Sequence, residues 1–250
     1  MPRKKGPVSV TDESRPSFRD DVTVELVKHS ASDADVLFAA RVSTRGEQSL
    51  DELGKDPERS KGLLNYLMRD RHGSPFEHNS MTFFVSAPIF VFREFHRHRV
   101  WSYNEESGRY RELRPIFYVP GRSRKLVQEG KPGRYVFNDG TDEQHKLVTE
   151  VMESSYRHSY AAYQEMLEAG IAREVARAVL PVGLFSTMYA TCNARALMHF
   201  LSLRTKSDDA KVPSFPQREI EMVAEKMEAL WAELMPLTHA AFVANGRVAP

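Results

Sequence analysis

The stretch Arg97-His98-Arg99-Val100-Trp101-Ser102-Tyr103-Asn104-Glu105-Glu106-Ser107-Gly108-Arg109-Tyr110 holds three arginines, two serines, two tyrosines and an asparagine. An apolar core has no use for that composition. An anionic ligand does, because each guanidinium presents a fixed fork of donors to phosphate or carboxylate. Arg97 and Arg99 stand two residues apart at the end of an expected helix, and Arg109 and Arg111 return after a loop able to wrap a ligand. Ser102, Ser107 and Asn104 add hydroxyls and an amide, and Tyr110 can stack on a ring or donate its hydroxyl. The competing interpretation is a solvated loop in which Glu105, Glu106 and Glu112 pair with the arginines at little energetic gain.

Two further blocks add cations. Arg173 and Arg177 are spaced i and i+4 and share a helical face, as do Arg195 and His199 within the block Asn193 to Arg204, with Arg204 one to two turns on. Each block could equally be the solvated side of a helix. His72 and His78 flank Ser74-Pro75-Phe76-Glu77 without an obvious third ligand, so no metal centre is expected. His29, His145, His158 and His239 are expected to face solvent or cap helices. There is no GxGxxG or GxxxxGK phosphate loop and no GxSxG elbow.

Around these blocks the residue pattern predicts a helix-rich α+β fold. Strands are expected at 22–27, 81–86 and 116–119, where β-branched and aromatic residues concentrate. Helices are expected at 35–42 with Asp33 as its cap, at 57–68 behind Pro57, from Pro88 toward Arg99, at 142–168, 172–179, 187–203 and 217–234. Val148, Val151, Met152, Ser155, Ser159, Ala162, Tyr163 and Met166 recur at helical spacing and define the expected buried stripe of the long helix. Residues 44–56, 103–114 and 207–216 read as loops, and 121–142 as a charged, Gly-rich solvent excursion. The order is not a clean βαβ alternation, which favours a modest sheet over a doubly wound fold. Residues 1–20 read as a flexible tail, 21–243 as one catalytic domain and 244–250 as a second tail.

The 250 residues carry a net charge of +1 with 28% charged residues, the composition of an ordinary globular protein. So balanced a charge argues against a broad nucleic-acid surface. The single cysteine, Cys192, excludes an intrachain disulfide and a multi-thiolate zinc site, and fits a reducing cytoplasm. The basic start, Met1 to Lys5, lacks a following apolar run, so no signal peptide is expected.

The segment from Arg97 to Tyr110 resembles the RHRxxSxNxxSxRY signature of the flavin-dependent thymidylate synthases at every fixed position. Ala39-Ala40-Arg41-Val42-Ser43, His72-Gly73-Ser74-Pro75-Phe76-Glu77-His78, Ala87-Pro88-Ile89-Phe90, Ala176-Arg177-Ala178-Val179-Leu180-Pro181, Asn193-Ala194-Arg195 and Gln217-Arg218-Glu219-Ile220 extend the likeness over about residues 22 to 235. The resemblance implies a thymidylate synthase-complementing protein-like fold, α+β with a small, mostly antiparallel sheet. It implies a homotetramer with FAD-containing active sites between subunits. It also implies conversion of dUMP to dTMP, with 5,10-methylenetetrahydrofolate as carbon donor, NADPH reducing the flavin and tetrahydrofolate released.

Residue by residue, the same resemblance places Arg97, His98 and Arg99 on FAD, together with Ser43, His72, Ser74, Glu105, Asn193, Arg195 and His199. His72 also stands where folate would stack. Ser107, Gly108, Arg109 and Tyr110 would hold the dUMP phosphate, with Arg97, Glu105 and Glu94 near the nucleotide. Arg204 would lie beside the uracil and Arg177 nearer the phosphate. Arg204, Arg177, Ser107 and His72 are the implied catalytic set. His199 departs from an asparagine found in some members, and Glu94 from a common glutamine, so that its partner must differ. The link 205–216 is longer than in many relatives and lacks a histidine. With no cysteine in the signature loop, electrostatic activation of uracil by Arg204 replaces thiol attack. Ser107 has no evident base to activate it and suits phosphate binding better. The rivals are a nucleic-acid module, another nucleotide enzyme such as a phosphate transferase, and a salt-bridged structural protein.

Overall fold

The computed structural model describes residues 15–46, 57–131 and 134–250. In chain order the first elements are β1 (Ser17–Arg19), β2 (Thr23–Ser30), α1 (Asp33–Arg45), α2 (Pro57–Arg69), β3 (Ser80–Pro88), α3 (Ile89–Phe95), β4 (Ser102–Glu105) and β5 (Ile116–Tyr118). There follow β6 (Val127–Lys131), β7 (Arg134–Asn138), α4 (Asp142–Glu168), α5 (Arg173–Ala176), β8 (Phe185–Cys192), α6 (Ala194–Arg204), α7 (Arg218–Leu234) and α8 (Pro236–Ala244). The described residues fall into two compact units, one made of 15–20, 107–127 and 137–186, the other of 21–46, 57–106, 128–131, 134–136 and 187–250.

The second unit is built on a sheet of order β2-β3-β8-β4. β2 pairs antiparallel with β3 from Thr23↔Ser86 to Ser30↔Ser80, with an irregularity between Leu26 and Lys28. β4 pairs antiparallel with β8, Ser102 opposite Thr191 and Glu105 opposite Met188. Both strands correct the sequence expectations. Residues 187–203 do not form one helix. Phe185-Ser-Thr-Met-Tyr-Ala-Thr-Cys is rich in Thr and aromatic residues, which pack well on a pleated surface, and it pairs as β8. The helix starts only at Ala194, where the extended Asn193 accepts a bond from the Ala196 amide at 2.9 Å. Likewise 102–105, expected in part as loop, is held as an edge strand by β8.

The core of this unit is apolar and closed, with Leu37, Leu64, Phe76, Met81, Phe83, Phe92, Phe95, Phe200, Trp231 and Phe242 fully buried. Its two ends are stapled. Asp33 does not cap the helix that follows it; Ser32 occupies that position, and α1 begins at Asp33 itself. The Asp33 carboxylate instead accepts the Leu237 and Thr238 amides at 2.9 and 2.8 Å and the Thr238 hydroxyl at 2.6 Å, capping α8. Pro236 thus opens a helix after ending α7. The expected C-terminal tail is also packed. Arg247 is 9% exposed, its guanidinium on Glu228 at 2.6 and 2.8 Å and on Thr205 Oγ1 at 2.9 Å, and Ala249 is buried. His239 meets Glu228 at 2.9 Å rather than facing solvent.

In the first unit Ser17–Arg19 is not part of a tail but pairs parallel with β5. α4 starts at a capping box, Thr141 and Gln144 exchanging bonds of 2.9 and 3.2 Å, and stops at Gly170 with φ 79. Of the expected Val148-to-Met166 stripe Tyr163 is buried but Val151 is exposed; the other buried residues of the helix are His145, Tyr156 and Tyr160. Each of the three tyrosines buries a large ring, and Tyr160 and Tyr163 still find a polar partner. Tyr156 stacks on Phe117 at 4.8 Å, the Tyr160 hydroxyl donates to the Leu113 carbonyl at 3.3 Å, and the Tyr163 hydroxyl accepts the Leu113 amide at 3.3 Å. The expected solvent excursion contains the two-stranded β6-β7 sheet. Among the described residues no helix is long and apolar enough to cross a membrane.

Candidate active site

Three groups of expected ligand residues are gathered by the fold, two in the second unit and one in the first. The first group forms where α3 and α6 end. α3 places Glu94 on its last turn, and the chain then bends, the His98 amide donating to the Phe95 carbonyl at 2.8 Å. Arg204, the last residue of α6, meets the Glu94 carboxylate through Nη1, donates to the Glu94 carbonyl at 3.3 Å through Nη2, and donates to His98 Nε2 at 3.2 Å through Nε. The partner of Glu94 is thereby identified as Arg204.

His98 is 9% exposed and packs edge-on against Phe200 at 5.0 Å. Burial pushes its pKa down to about 4, with the charges of Arg204 and His199 acting in the same direction. The ring is therefore neutral near pH 7 and offers a lone pair to Arg204. Tyr103 was not anticipated. Its hydroxyl donates to the Phe95 and His98 carbonyls at 2.8 and 3.0 Å, pinning the bend that carries the exposed Arg97 and Arg99. The only hint in the sequence is its place inside the arginine segment.

The second group surrounds Arg195 on the first turn of α6. Its Nη1 meets Glu77 at 2.5 Å and its Nε donates to the Pro250 carbonyl at 2.7 Å. Gly73 lets Arg195 approach, since a Cβ there would stand 2.6 Å from Arg195 Cζ and the guanidinium would have to move. The guanidinium thus lies directly on backbone. His199, one turn along, has its pKa lowered by burial and by the neighbouring Arg195 and Arg71. His72 and Ser74 are exposed beside this group, with the His72 ring 5.5 Å from that of Tyr66. Asn193 spends its side-chain oxygen on the α6 cap. Ser43 is exposed near the end of α1, its hydroxyl donating to the Ala40 carbonyl at 3.2 Å, and Glu105 is exposed at the end of β4. Among the described residues no hydrogen bond or ion pair ties these last two to either group.

The third group belongs to the first unit. The Tyr110 and Arg111 amides fold back onto the Ser107 carbonyl at 3.1 and 3.2 Å, and the Arg109 amide donates to Ser107 Oγ at 3.3 Å. Gly108 is buried, and a Cβ there would approach Leu113 Cδ1 to 2.8 Å and Arg177 Cδ to 3.2 Å, so the Arg177 stem lies over this turn. Arg109 pairs with Glu174 at 2.9 Å. Tyr110 is 80% exposed. Cys192 is fully buried with its thiol pKa raised well above the ordinary value, which suits packing and not nucleophilic attack. Among the described residues no three His, Cys, Asp or Glu side chains come together as a metal site.

A helix-rich α+β chain with a small, mostly antiparallel sheet and arginines gathered at helix ends has solved counterparts. The family described as Thymidylate synthase complementing protein matches residues 25–237. A flavin-dependent thymidylate synthase of Streptomyces avermitilis is 81% identical over 240 residues, covering 96% of this chain and 98% of the relative. One from Tropheryma whipplei is 58% identical, covering 94% of this chain and 98% of the relative. The crystal structure of PolB, a UMP/dUMP methylase from Streptomyces cacaoi bound with 5-Br dUMP, superposes with a TM-score of 0.88 at 59% identity, covering 93% of this chain and 99% of that one. The chain belongs to the flavin-dependent thymidylate synthase family and is an enzyme of that methyltransferase class.

Proposed function

We propose that the protein converts dUMP to dTMP, with FAD as its flavin, 5,10-methylenetetrahydrofolate as carbon donor, NADPH as reductant and tetrahydrofolate as product. The single observation that carries this reading is Arg204, a mostly buried guanidinium fixed by Glu94 and a neutral His98. So held, it can accept charge developing on a pyrimidine oxygen without reorganising, which activates C5 in the absence of an attacking thiol.

The donor set suits FAD. Arg195 lies close against Gly73, and with His199, His72, Ser74, Arg97 and Arg99 it offers cations and hydroxyls to a diphosphate and a ring edge. His98, Ser43, Glu105 and Asn193 complete the proposed contacts. When bound, the flavin supplies hydride chemistry between NADPH and the transferred carbon. The chain's own residues bind and polarise. Ser107, Gly108, Arg109 and Tyr110 grip the nucleotide phosphate, and Arg177 neutralises it. Glu94 holds Arg204 rather than donating to the base. His72 offers a face for folate to stack on.

The protein is further proposed to act as a cytoplasmic homotetramer with its sites between subunits, for which sedimentation is the check. Purification should give a yellow protein that releases tritium from 5-labelled dUMP only with NADPH and the folate. A colourless protein without release overturns the reading. UMP belongs in the same assay, because PolB is a UMP/dUMP methylase; preferential turnover of UMP would reassign the substrate.

A further inference from the structure

Arg71 stands directly before the His72-to-Glu77 segment in a conformation an arginine seldom adopts. Its φ is 61, at the stop of α2, where the Arg71 amide donates to the Met68 carbonyl at 3.3 Å and the His72 amide to the Leu67 carbonyl at 2.9 Å. Such stops usually carry glycine, because a Cβ in the left-handed region costs about 1–2 kcal/mol. Glycine is available two residues later, at Gly73, yet the position that needs it holds arginine. A side chain retained against that cost points to a task.

The task is visible at the other end of the chain. Arg71 Nη2 donates to the Ala249 carbonyl at 3.0 Å, and the carbonyl of the next residue, Pro250, accepts from Arg195 Nε at 2.7 Å. The peptide between the two arginines is itself anchored. Ala249 is 2% exposed, Arg247 is locked onto Glu228, and the Ser202 hydroxyl donates to the Arg247 carbonyl at 2.7 Å. Arg195 is thereby held on three sides, by Glu77, by Pro250 and by the Gly73 backbone. Residues 238–250, which form the brace, lie beyond the stretch the family description matches.

We infer that Arg71 is a positioning residue for the cofactor: acting through the Ala249–Pro250 peptide, it fixes the Arg195 guanidinium for the anionic part of FAD. This rests on the flavin reading above. A helix stop with no further role predicts that Arg71→Gly improves the backbone and costs nothing else. A brace predicts a split.

The test is release of flavin from the purified holoenzyme on dilution, followed by recovery of flavin fluorescence, beside thermal unfolding of the flavin-free protein. Arg71→Gly should weaken flavin retention about tenfold through lost preorganisation, while the melting midpoint stays within a few degrees or rises. Arg71→Lys, which keeps a donor, should recover most of the retention. In an Arg195→Ala background, Arg71→Gly should cost nothing further. Unchanged retention in Arg71→Gly, with Arg195→Ala impaired, overturns the brace alone. Additive losses also overturn it, because Arg71 would then act without Arg195. A wild-type protein that holds no flavin, or an Arg195→Ala variant that holds it normally, overturns the flavin reading and the brace with it.

Discussion

Arg204 and Arg109 each face one carboxylate, but in different surroundings. The Arg204 side chain is 16% exposed and has two acceptors besides the Glu94 carboxylate, the Glu94 carbonyl and His98 Nε2. The Arg109 side chain is 55% exposed, and Glu174, its partner, is 53% exposed. A surface pair of that kind is worth about 0–1 kcal/mol, so an incoming phosphate can displace Glu174 at small cost. The Arg204 contacts are less readily exchanged, since releasing them leaves the poorly solvated guanidinium unpaired, although Glu94 itself is 35% exposed. One arginine is built as a permanent charge and the other as a grip that opens and closes.

The largest expected effect follows from the permanent charge. Arg204→Ala should lower turnover at saturating nucleotide by roughly 10²–10³-fold, with circular dichroism unchanged. A loss confined to KM would mean that Arg204 is a grip as well, and the contrast would collapse.

Next in size is a pH effect on stability. His98 in the folded protein takes up its proton only near pH 4, whereas the unfolded chain does so near the ordinary 6.5. Protons therefore favour the unfolded state as pH falls from 6.5 toward 4, and stability drops by at most about 1.4 kcal/mol per pH unit from this group. His98→Asn, which keeps an acceptor for Arg204, should flatten that part of a urea-denaturation profile. An equally steep profile in the variant would show that the imidazole is not held neutral.

The grip predicts smaller changes. Arg109→Ala and Ser107→Ala should each raise the KM for dUMP, by about tenfold for the arginine, a charge-assisted contact of some 1.4 kcal/mol, and less for the serine. Turnover at saturation should remain near wild type; its complete loss in Ser107→Ala, with dUMP binding intact, would make that serine a participant in the chemistry. Smallest of all, Glu174→Ala should shift stability by no more than about 1 kcal/mol and leave the KM for dUMP unchanged or lower. A raised KM would assign Glu174 to the binding side.

What could be read from the sequence, and what could not, follows the range of the interactions. α4 was legible because its cap, Thr141 with Gln144, and its stop, Gly170, lie in the local sequence. The arginine segment was legible because its composition fits no core. The β8–α6 junction was not, because Met188, Leu197, Phe200 and Leu201 satisfy helical spacing while the decisive features are the neighbouring strands and the Asn193 cap. The α4 face is legible only at Tyr163, because spacing alone does not reveal that Tyr156 and Tyr160 find Phe117 and Leu113. Partners 110 residues apart, Glu94 with Arg204, leave no local trace. Nor does the left-handed φ of Arg71, which comes from the helix stop and not from the residue's own preference.

The Asp33 staple has a consequence for how the polypeptide is made. Asp33 and the amides it receives are separated by 204 and 205 residues, and Lys226 Nζ reaches back to the Val22 carbonyl at 2.7 Å over the same span. At 5–20 residues per second, a ribosome needs roughly 10–40 s to bring the second partner out after the first. Throughout that interval the nascent α1 carries a carboxylate with nothing to cap and an apolar face without its final neighbour, so this unit closes only after Thr238 has been made.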